Sequence, residues 1–135
     1  MRSKTFLILG DPIPLSRARV GFGARRIWDS QKQLKLVTGI DLARQMGNLP
    51  LFEGALHIDI IFYMKIPKSL QLRQKLHKHH CYKPDIDNLI KMILDIMSND
   101  VIFHDDCIVS YVSAQKIYDD KPRTKITVKE INESE

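Results

Sequence analysis

Apolar and polar positions alternate or recur along this chain in ways that divide it into short elements. Residues 4–9 form a run of strand formers that stops at Gly10-Asp11-Pro12-Ile13-Pro14, where two prolines two apart exclude a central strand or a helix. The segment 14–28 reads as a loop holding Arg17, Arg19, Arg25 and Arg26 with Gly21 and Gly23 between them. Ser30-Gln31-Lys32-Gln33 has the capping-box spacing and predicts a helix from there to about Met46, with Leu36, Ile40 and Ala43 on one face and Gly47-Asn48-Leu49-Pro50 as its end. Residues 55–65 alternate and are rich in strand formers (Leu56, Ile58, Ile60, Phe62), which predicts a second strand, broken by Pro67. Segment 69–79 reads as a short basic helix or a loop. Ile86, Ile90, Ile93, Leu94 and Met97 follow the helical period and predict a buried helix over 87–98, after which Asn99-Asp100 turns the chain. Strands are predicted over 107–116 and 124–131, joined by the turn Asp119-Asp120-Lys121-Pro122. The order β, α, β, (α), α, β, β predicts a single α/β (α+β) domain over residues 1–135: a small mixed four-stranded sheet with helices packed on its apolar face.

Length agrees, since 135 residues suit one domain. With 44% hydrophobic and 27% charged residues the chain is neither disordered nor collagen-like. No run reaches the roughly 18 apolar residues of a membrane span, and the run 6–9 is too short for the core of a signal peptide. The expected location is therefore the cytoplasm, with no membrane partner. In that reducing compartment Cys81 and Cys107 are expected to be thiols.

Charge changes the picture more. The net charge is +5, which points weakly to an anionic polymer as partner. Its distribution is sharper. Residues 1–46 carry nine Lys or Arg against three Asp, and residues 65–83 carry six (Lys65, Lys68, Arg73, Lys75, Lys78, Lys83) against none. Residues 84–106 then invert the sign, with six Asp against one Lys. Carboxylates would repel phosphate in a protein that only coated DNA. In a protein that cuts DNA they can hold the divalent cation that makes a phosphodiester attackable.

The acidic stretch is Lys83-Pro84-Asp85-Ile86-Asp87-Asn88-Leu89-Ile90-Lys91, followed by Asp95 and by Asp105-Asp106. If extended, Asp85 and Asp87 point the same way, and Asp87 sits where an N-cap belongs. Asp87, Lys91 and Asp95 share a helix face by their i, i+4, i+8 spacing. Asp105-Asp106 is expected to return beside the start of that helix, gathering three or four carboxylates and one ammonium. Hard oxygen donors favour Mg²⁺ or Mn²⁺ over zinc. The plainer reading is of helix-cap acids and a solvated Lys91–Asp95 pair; six of the sixteen acids in a sixth of the chain argue against it. An EF-hand beginning at Asp85 fails, because Leu89, Ile90 and Ile96 stand where an oxygen ligand, Gly and Glu are needed. A receiver domain fails for want of strands. His77-Lys78-His79-His80-Cys81 lacks a second ligand pair for zinc. His57 reads as half-buried structure, Cys107 as a small core residue in a strand, and His104 as either a partner of Asp105 or an exposed side chain.

The run Lys83-Pro84-Asp85-Ile86-Asp87-Asn88-Leu89-x-Lys91-x-x-x-Asp95, followed by Asp105-Asp106, resembles the RusA family of Holliday junction resolvases. The opening Gly10-x-Pro12-x-Pro14-x-x-Arg17-x-Arg19 is similar to that family's first strand and basic loop, more loosely. The resemblance implies a homodimeric, Mg²⁺-dependent endonuclease (Mn²⁺ a possible substitute), phage- or prophage-borne, that resolves four-way or branched DNA by paired nicks. It implies Asp85, Asp87 and Asp106 as metal-binding carboxylates and Lys91 as the catalytic lysine. Arg17, Arg19, Arg25, Arg26, Lys68, Arg73, Lys75, Lys78 and Lys83 are the residues expected to track phosphates, which positions DNA without reading bases. The competing reading is a non-catalytic DNA-binding or accessory protein of the same fold.

Overall fold

The computed structural model describes residues 2–16, 24–68 and 78–132, with the side chains of 24–30 outside the description. Four strands form one mixed sheet: β1 (Ser3–Leu9), β2 (Leu56–Lys65), β3 (Val109–Asp119) and β4 (Arg123–Glu130), in the spatial order β1-β4-β2-β3. Among the described residues two longer helices, α1 (Ala24–Met46) and α2 (Ile86–Met97), accompany it, and a 3₁₀ turn at Asp106–Ile108 leads into β3. β4 runs antiparallel to both β1 and β2, and β2 runs parallel to β3. The expected α+β domain with a mixed four-stranded sheet is what the structure has.

Strand alternation decides which face is covered. In β2, Leu56, Ile58, Ile60, Phe62 and Met64 are buried while the residues between them are half-buried. Phe6 of β1 and Ile126 and Val128 of β4 extend that buried layer. Against it pack Leu42 and Met46 of α1 and Leu89, Met92, Ile93, Ile96 and Met97 of α2. Each such side chain contributes roughly 1.5–3 kcal/mol on burial. Asn99 and Asp100 turn the chain after α2 with φ of 58° and 67°, a region these two short polar residues tolerate.

Both sheet edges are partly covered. Along β1, the Gln45 side chain accepts from the Leu7 N–H at 3.0 Å and donates to the Leu7 carbonyl at 2.8 Å. Along β3, the His80 N–H donates to the Lys116 carbonyl and the Tyr118 N–H to the Lys78 carbonyl, both at 3.0 Å. Occupied edge groups leave less for an intruding strand to pair with.

The helices differ from expectation. The backbone is already helical at Ala24, so Arg25 and Arg26 lie on α1 and not in a loop. Leu36 and Ile40 are 64% and 62% exposed, and Ala43 is exposed too. The face of α1 turned inward carries Leu34, Lys35, Thr38, Gly39, Leu42 and Met46. Polar residues on the inner face hid it from a search for apolar periodicity. In α2 the buried stripe is likewise rotated, with Ile86, Ile90 and Leu94 at its margin. Segment 69–77 lies outside the described residues.

Candidate active site

β2 and β3 are parallel and α2 joins them, so α2 runs back against the strand direction. Its start therefore lies over the far part of β3 and its end over the beginning of β3. Two clefts result.

The first is at the start of α2. Asp85 is the N-cap, with extended backbone, and makes no capping bond with its side chain. Its carboxylate instead lies 2.9 Å from the Lys83 ammonium. Asp87 is in the first turn, where the helix dipole favours negative charge, and is 3.9 Å from Lys91 one turn on. Both Asp85 and Asp87 line a cleft of about 740 Å³ together with His80, Tyr82 and Lys116. Lys116 donates from its ammonium to the carbonyls of Tyr82 and Pro84, each at 2.7 Å. His80 packs its ring 5.1 Å from Tyr118, and its Nδ1 is buried with no hydrogen-bond partner among the described residues. Burial, and then the Lys116 charge, push the His80 pKa down.

The second cleft, about 320 Å³, is at the end of α2 and holds Lys35, Asp95, His104, Asp105 and Asp106. Lys35, from the inner face of α1, is 3.2 Å from Asp95. Asp105 accepts from the Cys107 N–H at 2.9 Å, which holds its carboxyl below the usual range. Cys107 itself is exposed in the 3₁₀ turn before β3, and not the core strand residue expected. Asp106 is pushed the other way, first by desolvation, then by Asp105 and Asp95. His104 bonds Asp100 at 2.9 Å, which raises its pKa.

The structure thus corrects the sequence reading in three ways. Asp85, and not Asp87, is the cap, so the two are not a pair on one extended stretch, although they share a cleft. Asp95 stands beside Asp106 and Lys35, apart from Asp87, so the carboxylates expected at one point are split. Asp105-Asp106 returns beside the end of α2 and not its start. Among the described residues no group of three or more His, Cys, Asp or Glu side chains is gathered so as to hold a metal ion. In kind the donors suit a hard divalent cation, being carboxylates at a helix start and an acid crowded by two others; in arrangement they are divided between two clefts. Of the basic residues, Lys68 and Lys78 are exposed, as expected of phosphate contacts, and Lys83 is exposed but paired with Asp85. Arg17, Arg19, Arg73 and Lys75 fall outside the described residues, as do the side chains of Arg25 and Arg26.

Lys35 and Lys116 were missed. Strand parity was the available signal for Lys116, which shares the helix-facing side with Ala114 and Tyr118. His57, Asp59 and Ser113 also meet, on the open face of the sheet. The Ser113 hydroxyl and the His57 ring both bond the same oxygen of Asp59, so Asp59 is the hub and nothing there activates the serine. The reading of His57 as structure stands.

Two comparisons bear on this arrangement. The family model described as Endodeoxyribonuclease RusA matches residues 10–129. A Bacillus subtilis (strain 168) protein, "Uncharacterized protein YqaN", is 26% identical over 137 residues, covering 94% of this chain and 96% of its own length.

Proposed function

The chain belongs to the RusA endodeoxyribonuclease family, and from that premise we propose that it is a Mg²⁺-dependent endonuclease acting as a homodimer on four-way or branched DNA in the cytoplasm, by paired symmetric nicks. One observation carries this reading: the family match over residues 10–129 takes in the whole run from Gly10 through the Asp85–Lys91 motif to Asp106.

Asp85 and Asp87, which share the first cleft, would hold the metal, with Mn²⁺ as a substitute for Mg²⁺; Asp106, which the family pattern adds to them, stands in the second cleft. When bound, such an ion lowers the pKa of a water and stabilises charge at the scissile phosphate. Lys91 brings an ammonium beside Asp87, where it can stabilise charge developing on phosphate oxygens. The exposed lysines and the basic segments hold the DNA backbone, and choice of a junction over plain duplex rests on shape and deformability.

The test is a nicking assay on a synthetic four-way junction and on a matched linear duplex. Paired nicks in the junction with Mg²⁺, few in the duplex and none with chelator are expected. Asp85→Asn, Asp87→Asn and Asp106→Asn should each abolish cutting and leave binding intact or slightly tighter. Lys91→Ala should lower turnover with little change in affinity. Binding without nicks under every metal would mean a non-catalytic DNA-binding protein instead.

A further inference from the structure

The chemistry of the first cleft depends on how the segment before α2 is held. Residues 81–85 lie outside helix and strand, and Cys81, Tyr82, Lys83 and Asp85 are all exposed. Lys83 pairs with Asp85, but the Lys83 side chain is 86% exposed, and such a pair is weak and screened. The firm attachment comes from β3. Lys116 is on the helix-facing side of that strand, half-buried, and its ammonium donates to the Tyr82 and Pro84 carbonyls at 2.7 Å each. Bonds from an ionised donor are the stronger kind. The backbone of the same residue accepts from the His80 N–H at 3.0 Å.

Resting on the endonuclease reading above, we propose that Lys116 is a positioning residue for the reaction: by holding the Tyr82 and Pro84 carbonyls it fixes the peptide that presents Asp85 to the cleft. The Pro84 carbonyl and the Asp85 nitrogen belong to one planar unit. Fixing that oxygen therefore sets the direction in which the Asp85 Cα leaves the plane. On its other side the Asp85 carbonyl accepts from the Leu89 N–H at 3.3 Å, the first bond of the helix ladder. Asp85 is thus pinned before and after its Cα, by a strand on one side and a helix on the other. Lys116 acts through the main chain and needs no contact with the substrate.

The test compares wild type, Lys116→Met and Lys116→Arg by two readouts. The first is single-turnover nicking of a four-way junction, with junction affinity measured separately in chelator. The second is amide exchange at His80 and Leu89, which flank the segment, against core amides such as that of Ile60. For Lys116→Met, turnover should fall by about 100-fold, the scale of a misplaced catalytic group, while affinity stays within about twofold. Exchange at His80 and Leu89 should rise by about tenfold or more, with the Ile60 amide unchanged. Unchanged turnover with unchanged exchange overturns the proposal. So does weaker junction binding with unchanged turnover, which would make Lys116 a phosphate contact. If Lys116→Met does not fold, Lys116→Arg decides. A guanidinium can still serve two carbonyls, so positioning expects turnover within about tenfold of wild type and retained protection. Retained protection with turnover lost would mean that the ammonium acts on the substrate directly, and overturns it. If wild type itself makes no nick, the endonuclease reading fails, and the exchange readout still judges the clamp.

Discussion

Asp59 is the most heavily engaged carboxylate on the open face of the sheet. It accepts from the Ser113 hydroxyl, from the His57 ring at 2.9 Å and, on its other oxygen, lies 3.5 Å from the Lys129 ammonium. These partners come from β2, β3 and β4, so one side chain ties three strands on the face away from α1 and α2. The Ser113 bond, more than any other cause, holds the Asp59 carboxyl below its ordinary value, against a smaller opposing effect of burial. A carboxyl with a lower pKa folded than unfolded stabilises above its unfolded value, and the gain is lost as pH falls through the folded one. Asp59→Asn should therefore lower the unfolding temperature most near neutral pH. The gap from wild type should begin to narrow only below about 4, near the unfolded value for aspartate, and close as pH falls through the lower folded value. A gap that stayed constant into acid would show that shape rather than charge is at stake. The same linkage for Asp119, held down chiefly by Arg123 at 2.6 Å, adds to acid sensitivity at the β3–β4 turn.

At the scale of elements, α1 offers the clearest contrast. Leu42 is fully buried and Leu36 is 64% exposed, although apolar spacing alone favours Leu36 with Ile40 as the inner face. Leu42→Ala should cost about 2–5 kcal/mol in chemical denaturation, as for a buried leucine. Leu36→Ala should cost no more than about 0.5 kcal/mol, as for a surface change. Equal losses would overturn the orientation of the helix. Strands were legible because period-2 alternation survives wherever one face is buried, as in β2 from Leu56 to Met64. The inner face of α1 was not, because Lys35 and Thr38 occupy it, Lys35 being spent on Asp95. The site was legible in its parts and not in its assembly. Asp85, Asp87 and Lys91 could be read from spacing and family pattern. Which end of α2 meets the Asp105-Asp106 pair is set by strand direction, and the pattern of residues does not carry that. Once β2 and β3 are parallel, the residue that meets the start of α2 must come from deep in β3. That residue is Lys116, ten positions beyond Asp106.

For the whole molecule the question is how one site of this kind would serve a two-fold symmetric junction, which needs two matched cuts. A dimer with C2 symmetry supplies two sites related by the junction's own axis, and is the commonest oligomer. The mass in solution should be twice 15.7 kDa at micromolar concentration. The described chain just before Arg17 is tied to the first turn of α2. The Leu15 N–H donates to the Asn88 carbonyl in α2 at 2.9 Å, and the Gln31 amide brackets Pro14 and Ser16. Arg17 and Arg19 are the residues proposed to grip a junction arm. Each phosphate neutralised on duplex releases counterions, so log affinity should fall linearly with log salt by about 0.9 per contact. Replacing Arg17 and Arg19 together with Ala should flatten that slope by up to about two per subunit. Gln31→Ala, which frees the root of the segment without removing charge, should leave the slope alone and reduce turnover by misplacing the arm. An unchanged slope in the double variant would remove the segment from the DNA contacts, and a stable monomer that still made paired nicks would sink the dimer.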